Sequence, residues 1–128
     1  MTIRLLLADD HQAYRAYLRT LLERQPGMAV LAEAADGAAG VALALELLPD
    51  VTILDVDMPG LDGIAAARQI LAARPQARVL MLSMQGDPLL VAAAARAGAR
   101  AFVRKDSPLS ELVAAIRAVA DGREYFGP

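Results

Sequence analysis

The sequence predicts an α/β fold, a doubly wound sandwich around a five-stranded parallel sheet, and three observations carry that prediction. Five short, largely apolar runs occur at 3–8, 28–32, 51–54, 78–82 and 101–103. They do not alternate apolar with polar, which suits strands buried on both faces. Segments of helical spacing separate them, and regular strand–helix alternation leads through crossovers to parallel pairing. At 128 residues the chain holds one domain, and with 56% hydrophobic but only 4% aromatic residues its core must be aliphatic.

The elements follow in order. After the first strand, a helix over 12–25 carries Tyr14, Tyr17, Leu18, Leu21 and Leu22 on one stripe, and Pro26-Gly27 stops it. Asp36 is a candidate N-cap for a second helix, which carries Val41, Leu45 and Leu48 and ends before Pro49. A third helix spans 64–73, with Pro75 behind it. Asp87-Pro88 combines an N-cap with a proline at the first helical position, opening a fourth helix that ends at Gly98. Ser107-Pro108 repeats that device before the last helix. There Leu109, Leu112, Val113, Ile116 and Val119 share a face, and Gly122 ends it.

Composition removes several function classes. Net charge is −2, and arginines such as Arg4, Arg15, Arg19, Arg24, Arg68, Arg74 and Arg78 are thinly spread. Direct nucleic-acid binding needs a denser basic cluster. There are no cysteines, hence no disulfide framework or thiolate metal site. No apolar stretch reaches the roughly 18 residues that a membrane span requires. A soluble, cytoplasmic protein without membrane contact is expected.

Ligands of doubly wound sheets bind beyond the carboxyl ends of the strands. In a sheet ordered 2-1-3-4-5, four strands deliver polar groups to that rim. Asp9 and Asp10 follow the first strand, Asp55 ends the third, Ser83 follows the fourth and Lys105 the fifth. Three crowded carboxylates repel one another unless a cation intervenes. As hard oxygen ligands they match Mg²⁺ or Mn²⁺. Asp10 and Asp55 would hold the ion, with Asp9 supporting through water. Asp55 is the candidate nucleophile toward phosphorus. Lys105 and the ion would neutralise phosphoryl oxygens, and the Ser83 hydroxyl would donate to one. Each residue alone has a plainer reading: Asp10 as a helix cap, Ser83 as a turn residue, Lys105 as a solvated lysine. His11 is expected in the first helical turn near solvent. Their joint occurrence at consecutive strand ends carries the inference.

Four segments then resemble the receiver domains of bacterial two-component response regulators. They are Ala8-Asp9-Asp10-His11, the run from Leu54-Asp55-Val56-Asp57-Met58-Pro59-Gly60 to Leu61-Asp62-Gly63, Leu82-Ser83, and Phe102-Val103-Arg104-Lys105. His11, Arg15 and Glu33-Ala34-Ala35-Asp36-Gly37 are similar to the NarL/LuxR subfamily. The resemblance implies a flavodoxin-like (βα)5 sandwich, with Asp55 as phospho-acceptor. It also implies Mg²⁺ on Asp9 and Asp10 with the backbone carbonyl of Asp57 added. Ser83 becomes the switch hydroxyl, Lys105 the phosphate-binding lysine and Phe102 the switch aromatic, whose plainer role is core packing. The implied donor is a sensor histidine kinase. The implied output is dimerisation through the first and fifth helices or the side of the fourth. Residues 1–121 would be the receiver, and 122–128 would begin a linker to a C-terminal helix-turn-helix domain that binds DNA. Such a domain catalyses only its own phosphorylation and dephosphorylation and is otherwise no enzyme.

Three departures from the family pattern stand out. Asp57 adds a carboxylate where other residue types, including Asn, are common. Asp106 replaces the proline that often follows the lysine, making a cis peptide there less expected. Met84 after Ser83 is bulky enough to hinder an attacking water, which predicts slow autodephosphorylation. Two rivals remain. Asp55-Val56-Asp57 mimics the Asp-x-Asp of haloacid-dehalogenase-type phosphohydrolases, although the acidic pair here lies upstream and there is no room for a cap domain. The other is a receiver-like interaction module that is never phosphorylated. A dinucleotide site lacks its G-x-G-x-x-G after the first strand.

Overall fold

Each apolar run becomes a strand because helices cover both faces of it. The computed structural model describes residues 1–127. Along the chain stand β1 (Ile3–Ala8), α1 (Gln12–Glu23), β2 (Met28–Ala34), α2 (Gly37–Leu47) and β3 (Val51–Asp55), followed by α3 (Gly63–Ala73), β4 (Val79–Ser83), α4 (Pro88–Arg96), β5 (Ala101–Arg104) and α5 (Leu109–Ala120). All neighbouring strands pair in parallel, in the order β2-β1-β3-β4-β5, as predicted.

Side chains alternate between the two faces of a strand, so the sheet separates two cores. Leu5, Leu7, Ile53, Leu80 and Leu82 face Leu18 and Leu22 of α1 and Leu112, Ile116 and Val119 of α5. Leu6, Leu54, Met81 and Phe102 face Ala44, Ala66, Ala67, Ile70 and Ala94 from α2, α3 and α4. Full burial of each such Leu or Ile contributes about 1.5–3 kcal/mol. Among the described residues, no helix is long and apolar enough to cross a membrane.

The caps work largely as read. Asp36 accepts a hydrogen bond from the Ala39 amide at 2.8 Å and Asp87 from Leu90 at 2.9 Å. Asp62 does the same for α3 through Ala65 at 2.8 Å. The device expected at Ser107-Pro108 is not formed. Pro108 itself occupies the N-cap position of α5, with no side-chain cap. α1 ends at Glu23, two residues early, because Arg24 and Gln25 close it with i−3 hydrogen bonds to Leu21 and Leu22.

Two expected stripes are also corrected. Tyr17 is 61% exposed, and Leu45 and Leu48 are exposed too. α2 is apolar nearly all round, so its periodicity does not select a face. Its buried positions are Gly37, Gly40 and Ala44. A Cβ on Gly40 would lie 3.2 Å from the Ala8 side chain, so small residues set the close approach of α2 to the sheet. Leu48 takes the left-handed conformation (φ 49°) that turns the chain out of α2 before Pro49.

After α5 the chain turns back along the sheet edge. Tyr125 donates its amide to the Arg100 carbonyl at 2.8 Å and accepts from the Phe102 amide at 3.0 Å. Of the expected linker, residues 122–127 are thus described, and Pro128 lies outside the described residues.

Gly63 positions the rim. Its amide donates to the Val56 carbonyl at 2.9 Å, and a Cβ there would sit 2.1 Å from the Asp55 carbonyl oxygen. Backbone is in the way, not a movable side chain. Gly63→Ala should destabilise the fold by about 2–3 kcal/mol and lower the thermal midpoint by roughly 10 °C, measured by circular dichroism.

Candidate functional site

The rim residues converge because four parallel strands end side by side. Asp9 follows β1, Asp55 and Ser83 are the last residues of β3 and β4, and Lys105 follows β5. Register carries this through: Asp55 pairs with Leu82, and the Lys105 amide donates to the Ser83 carbonyl at 2.8 Å. Asp9 is 4% exposed, Asp55 2%, and Ser83 is fully buried.

Lys105 joins the acids. Its Nζ lies 2.8 Å from Asp9 Oδ2 and 3.1 Å from Asp55 Oδ2, and its side chain is only 5% exposed. Neither carboxylate oxygen receives a well-directed hydrogen bond, so the ammonium meets both as an ion pair by distance alone. Burial first, and then the Asp9 charge, push the Asp55 carboxyl above its usual range, although Lys105 pulls it back. Burial draws the Lys105 ammonium down, but the two carboxylates outweigh that and hold it above its ordinary value.

Asp10 is exposed and is tied to the cluster through His11, whose Nδ1 lies 3.3 Å from both Asp9 Oδ1 and Asp10 Oδ1. Ser83 Oγ is engaged by its own loop, accepting from the Gln85 amide at 3.0 Å. Asp57 donates its amide to Asp55 Oδ1 at 3.3 Å while its residue is exposed. Its carboxylate is not part of the acid cluster described below. Phe102 is buried on β5 among residues of α3 and α4. The peptide bonds of the described residues are trans, the one after Lys105 included.

Three contributors were not assigned to the site from sequence. His11 stands at the N-cap of α1 and donates its amide to Asp9 Oδ1 at 2.8 Å. Arg15 donates to the Asp9 carbonyl at 2.5 Å and to Glu33 Oε1 at 2.8 Å. The Tyr14 ring lies 4.7 Å from Lys105 Nζ. The available signal was spacing. An acid two residues before His11 favours a local side-chain turn, and Arg15 stands one helical turn after His11.

The donor set fits a hard divalent cation. Asp9, Asp10, His11 and Asp55 each offer one ligand atom, all within 4.8 Å of one another. Two of the carboxylate oxygens are buried without a hydrogen bond. Three carboxylates favour Mg²⁺ or Mn²⁺ over softer ions, and His11 is the weakest match for Mg²⁺.

The family model of the response regulator receiver domain matches residues 5–117. The chain is 42% identical over 120 residues to the transcriptional regulatory protein LiaR of Bacillus subtilis, covering 94% of this chain and 57% of LiaR. It is similar in structure to a LuxR-family two-component response regulator from Aurantimonas sp. SI85-9A1, with TM-score 0.96 and 41% identity, covering all of this chain and 91% of that one. It is similar also to the receiver domain of NarL from Mycobacterium tuberculosis, with TM-score 0.91 and 37% identity, covering 95% and 98% of the two chains. The chain spans a little over half the length of the curated relatives it matches.

The raised Asp55 carboxyl has a stability consequence. Its ionised form is disfavoured by folding, so that penalty is absent below about pH 4, where the unfolded carboxyl is protonated, and grows as pH rises through the folded value. Asp55→Asn leaves Lys105 paired with Asp9. It should therefore raise the thermal midpoint at pH 7 without metal by about 3–8 °C, roughly 1–2 kcal/mol, with the gain shrinking on acidification toward pH 4. Added Mg²⁺ should raise the wild-type midpoint and leave Asp55→Asn nearly unmoved in the same melts.

Proposed function

The chain belongs to the response regulator receiver domain family, and we propose that it is a phosphorylation switch in which Asp55 accepts a phosphoryl group from a sensor histidine kinase. One observation carries the reading. The single buried ammonium, Lys105, stands within 3.1 Å of the Asp55 carboxylate and within 2.8 Å of Asp9.

Asp9, Asp10 and Asp55, with the Asp57 carbonyl, would hold Mg²⁺. The ion, when bound, supplies charge neutralisation for phosphoryl oxygens. Asp55 attacks phosphorus through a carboxylate oxygen, forming an acyl phosphate as the bond to the donor nitrogen breaks. Its raised carboxyl makes the ionised form more basic and a better nucleophile. Lys105 then faces the incoming phosphoryl charge from the position it holds between the acids. The Ser83 hydroxyl, whose Oγ accepts from the Gln85 amide, would donate its proton to a phosphoryl oxygen. That new bond would draw on the β4–α4 loop and bias Phe102 and the neighbouring face between two states.

The output is dimerisation, through α1 and α5 or through the α4 side. DNA would be reached through a C-terminal helix-turn-helix domain and not by this domain directly. The setting is the cytoplasm, without membrane contact, and the chain turns over no separate substrate. The phosphohydrolase alternative loses support because the Asp57 carboxylate stands outside the acid cluster. A receiver-like module that is never phosphorylated leaves the buried triad without a role.

Mass spectrometry and size-exclusion chromatography of wild type and Asp55→Asn, treated with acetyl phosphate or beryllofluoride and Mg²⁺, test the proposal. The wild type should gain one phosphoryl group and shift toward dimer, and Asp55→Asn should do neither. Equal modification of both proteins sinks the assignment.

Met84 follows Ser83 and is 59% exposed. Replacing it with Ala should open the path for water and shorten the lifetime of the phosphorylated form about two- to tenfold. An unchanged lifetime removes Met84 from the account.

A further inference from the structure

Lys105 is the one lysine among the chain's 13 basic residues. Its side chain is almost wholly buried. An ammonium has three donors, and two carboxylate oxygens stand within ion-pair distance of Nζ. Among the described residues, the remaining partner is the face of Tyr14, with the ring centroid 4.7 Å from Nζ. That distance lies inside the roughly 6 Å range of a cation–π contact.

The ring also shares a frame with the acids. α1 is fastened to Asp9 at its start, because His11 donates to the Asp9 carboxylate and Arg15 to the Asp9 carbonyl. Tyr14 lies between these two anchors in sequence, so its ring is held at a set distance from Asp9. Burial raises the Tyr14 hydroxyl above its ordinary value, which keeps the ring neutral near pH 7.

We propose that Tyr14 is a positioning residue for phosphoryl transfer, its ring face holding the Lys105 ammonium at the Asp9–Asp55 bridge. This rests on Asp55 being the phosphoryl acceptor. Without the ring, only the two ion pairs restrain Lys105 from the adjoining groove between α1 and α5, which Tyr14, Tyr17, Leu18, Ser107 and Leu112 line. The ammonium would then face the developing phosphoryl charge for only part of the time. Tyr14 also packs against the edge of the α1–α5 core, and a purely structural role would be met by any apolar side chain of similar size.

Tyr14→Phe and Tyr14→Leu separate the two roles. Lysine labelled at Cε and Nζ gives one side-chain NMR signal in this chain, since there is one lysine. In wild type and Tyr14→Phe that signal should be ring-shifted, and in Tyr14→Leu that shift should be lost. Phosphorylation by acetyl phosphate with Mg²⁺ should stay within about twofold of wild type in Tyr14→Phe and slow about 3- to 30-fold in Tyr14→Leu. Equal rates and equal lysine signals in the two variants overturn the proposal. Should Tyr14→Leu fail to fold by circular dichroism, Tyr14→Met takes its place under the same criteria. A wild type that takes no phosphoryl group overturns the acceptor reading and with it the role in transfer. An unshifted lysine signal in the wild type overturns the ring contact alone.

Discussion

Two buried carboxylates and one buried ammonium share a crevice at the rim, and much else there serves that imbalance. Lys105 neutralises one negative charge where Asp9 and Asp55 supply two. Such a cluster is unfavourable unless its parts are held rigidly. The rigidity comes from the sheet. Asp55 is the last residue of β3, backed by the glycine that opens α3. Lys105 follows β5, and its amide donates to the carbonyl of Ser83 at the end of β4. A site left short of positive charge favours a cation.

The first helix is part of the site as well as a cover for the core. Arg15 bridges the Asp9 carbonyl and Glu33 on β2, and Arg19 reaches the same Glu33 at 2.9 Å. The Arg19 and Arg15 guanidinium groups together hold the Glu33 carboxyl below its usual range. This network ties β1, α1 and β2 together beside the acidic pair. Partly exposed ion pairs contribute little to stability singly, so its consequence is chiefly geometric. It fixes where α1 starts, and therefore where His11 and Tyr14 stand relative to Asp9.

At the other edge, Phe102 connects the rim to the surface. It lies three residues before Lys105, is buried against the α3–α4 core, and donates its amide to the Tyr125 carbonyl.

Most of the fold and the acid–lysine core of the site were legible from order and spacing. Apolar runs of strand length between helical segments specify a parallel sheet, and parallel strands deliver their last residues to one rim. Asp9, Asp55, Ser83 and Lys105 could therefore be grouped without coordinates. Local rules also gave the caps at Asp36 and Asp87, since a cap needs only its own three or four residues. They failed at Pro108 and on α2, where an all-apolar helix has no preferred face until Gly40 meets Ala8. Tertiary structure alone decided that Tyr14 underlies Lys105, that Arg15 holds Asp9, and that the Asp57 carboxylate stays outside the cluster. Those contacts join residues from different elements or depend on where a side chain turns. One-dimensional spacing records which residues share an element, while the angle and depth at which elements pack is fixed only when both cores close.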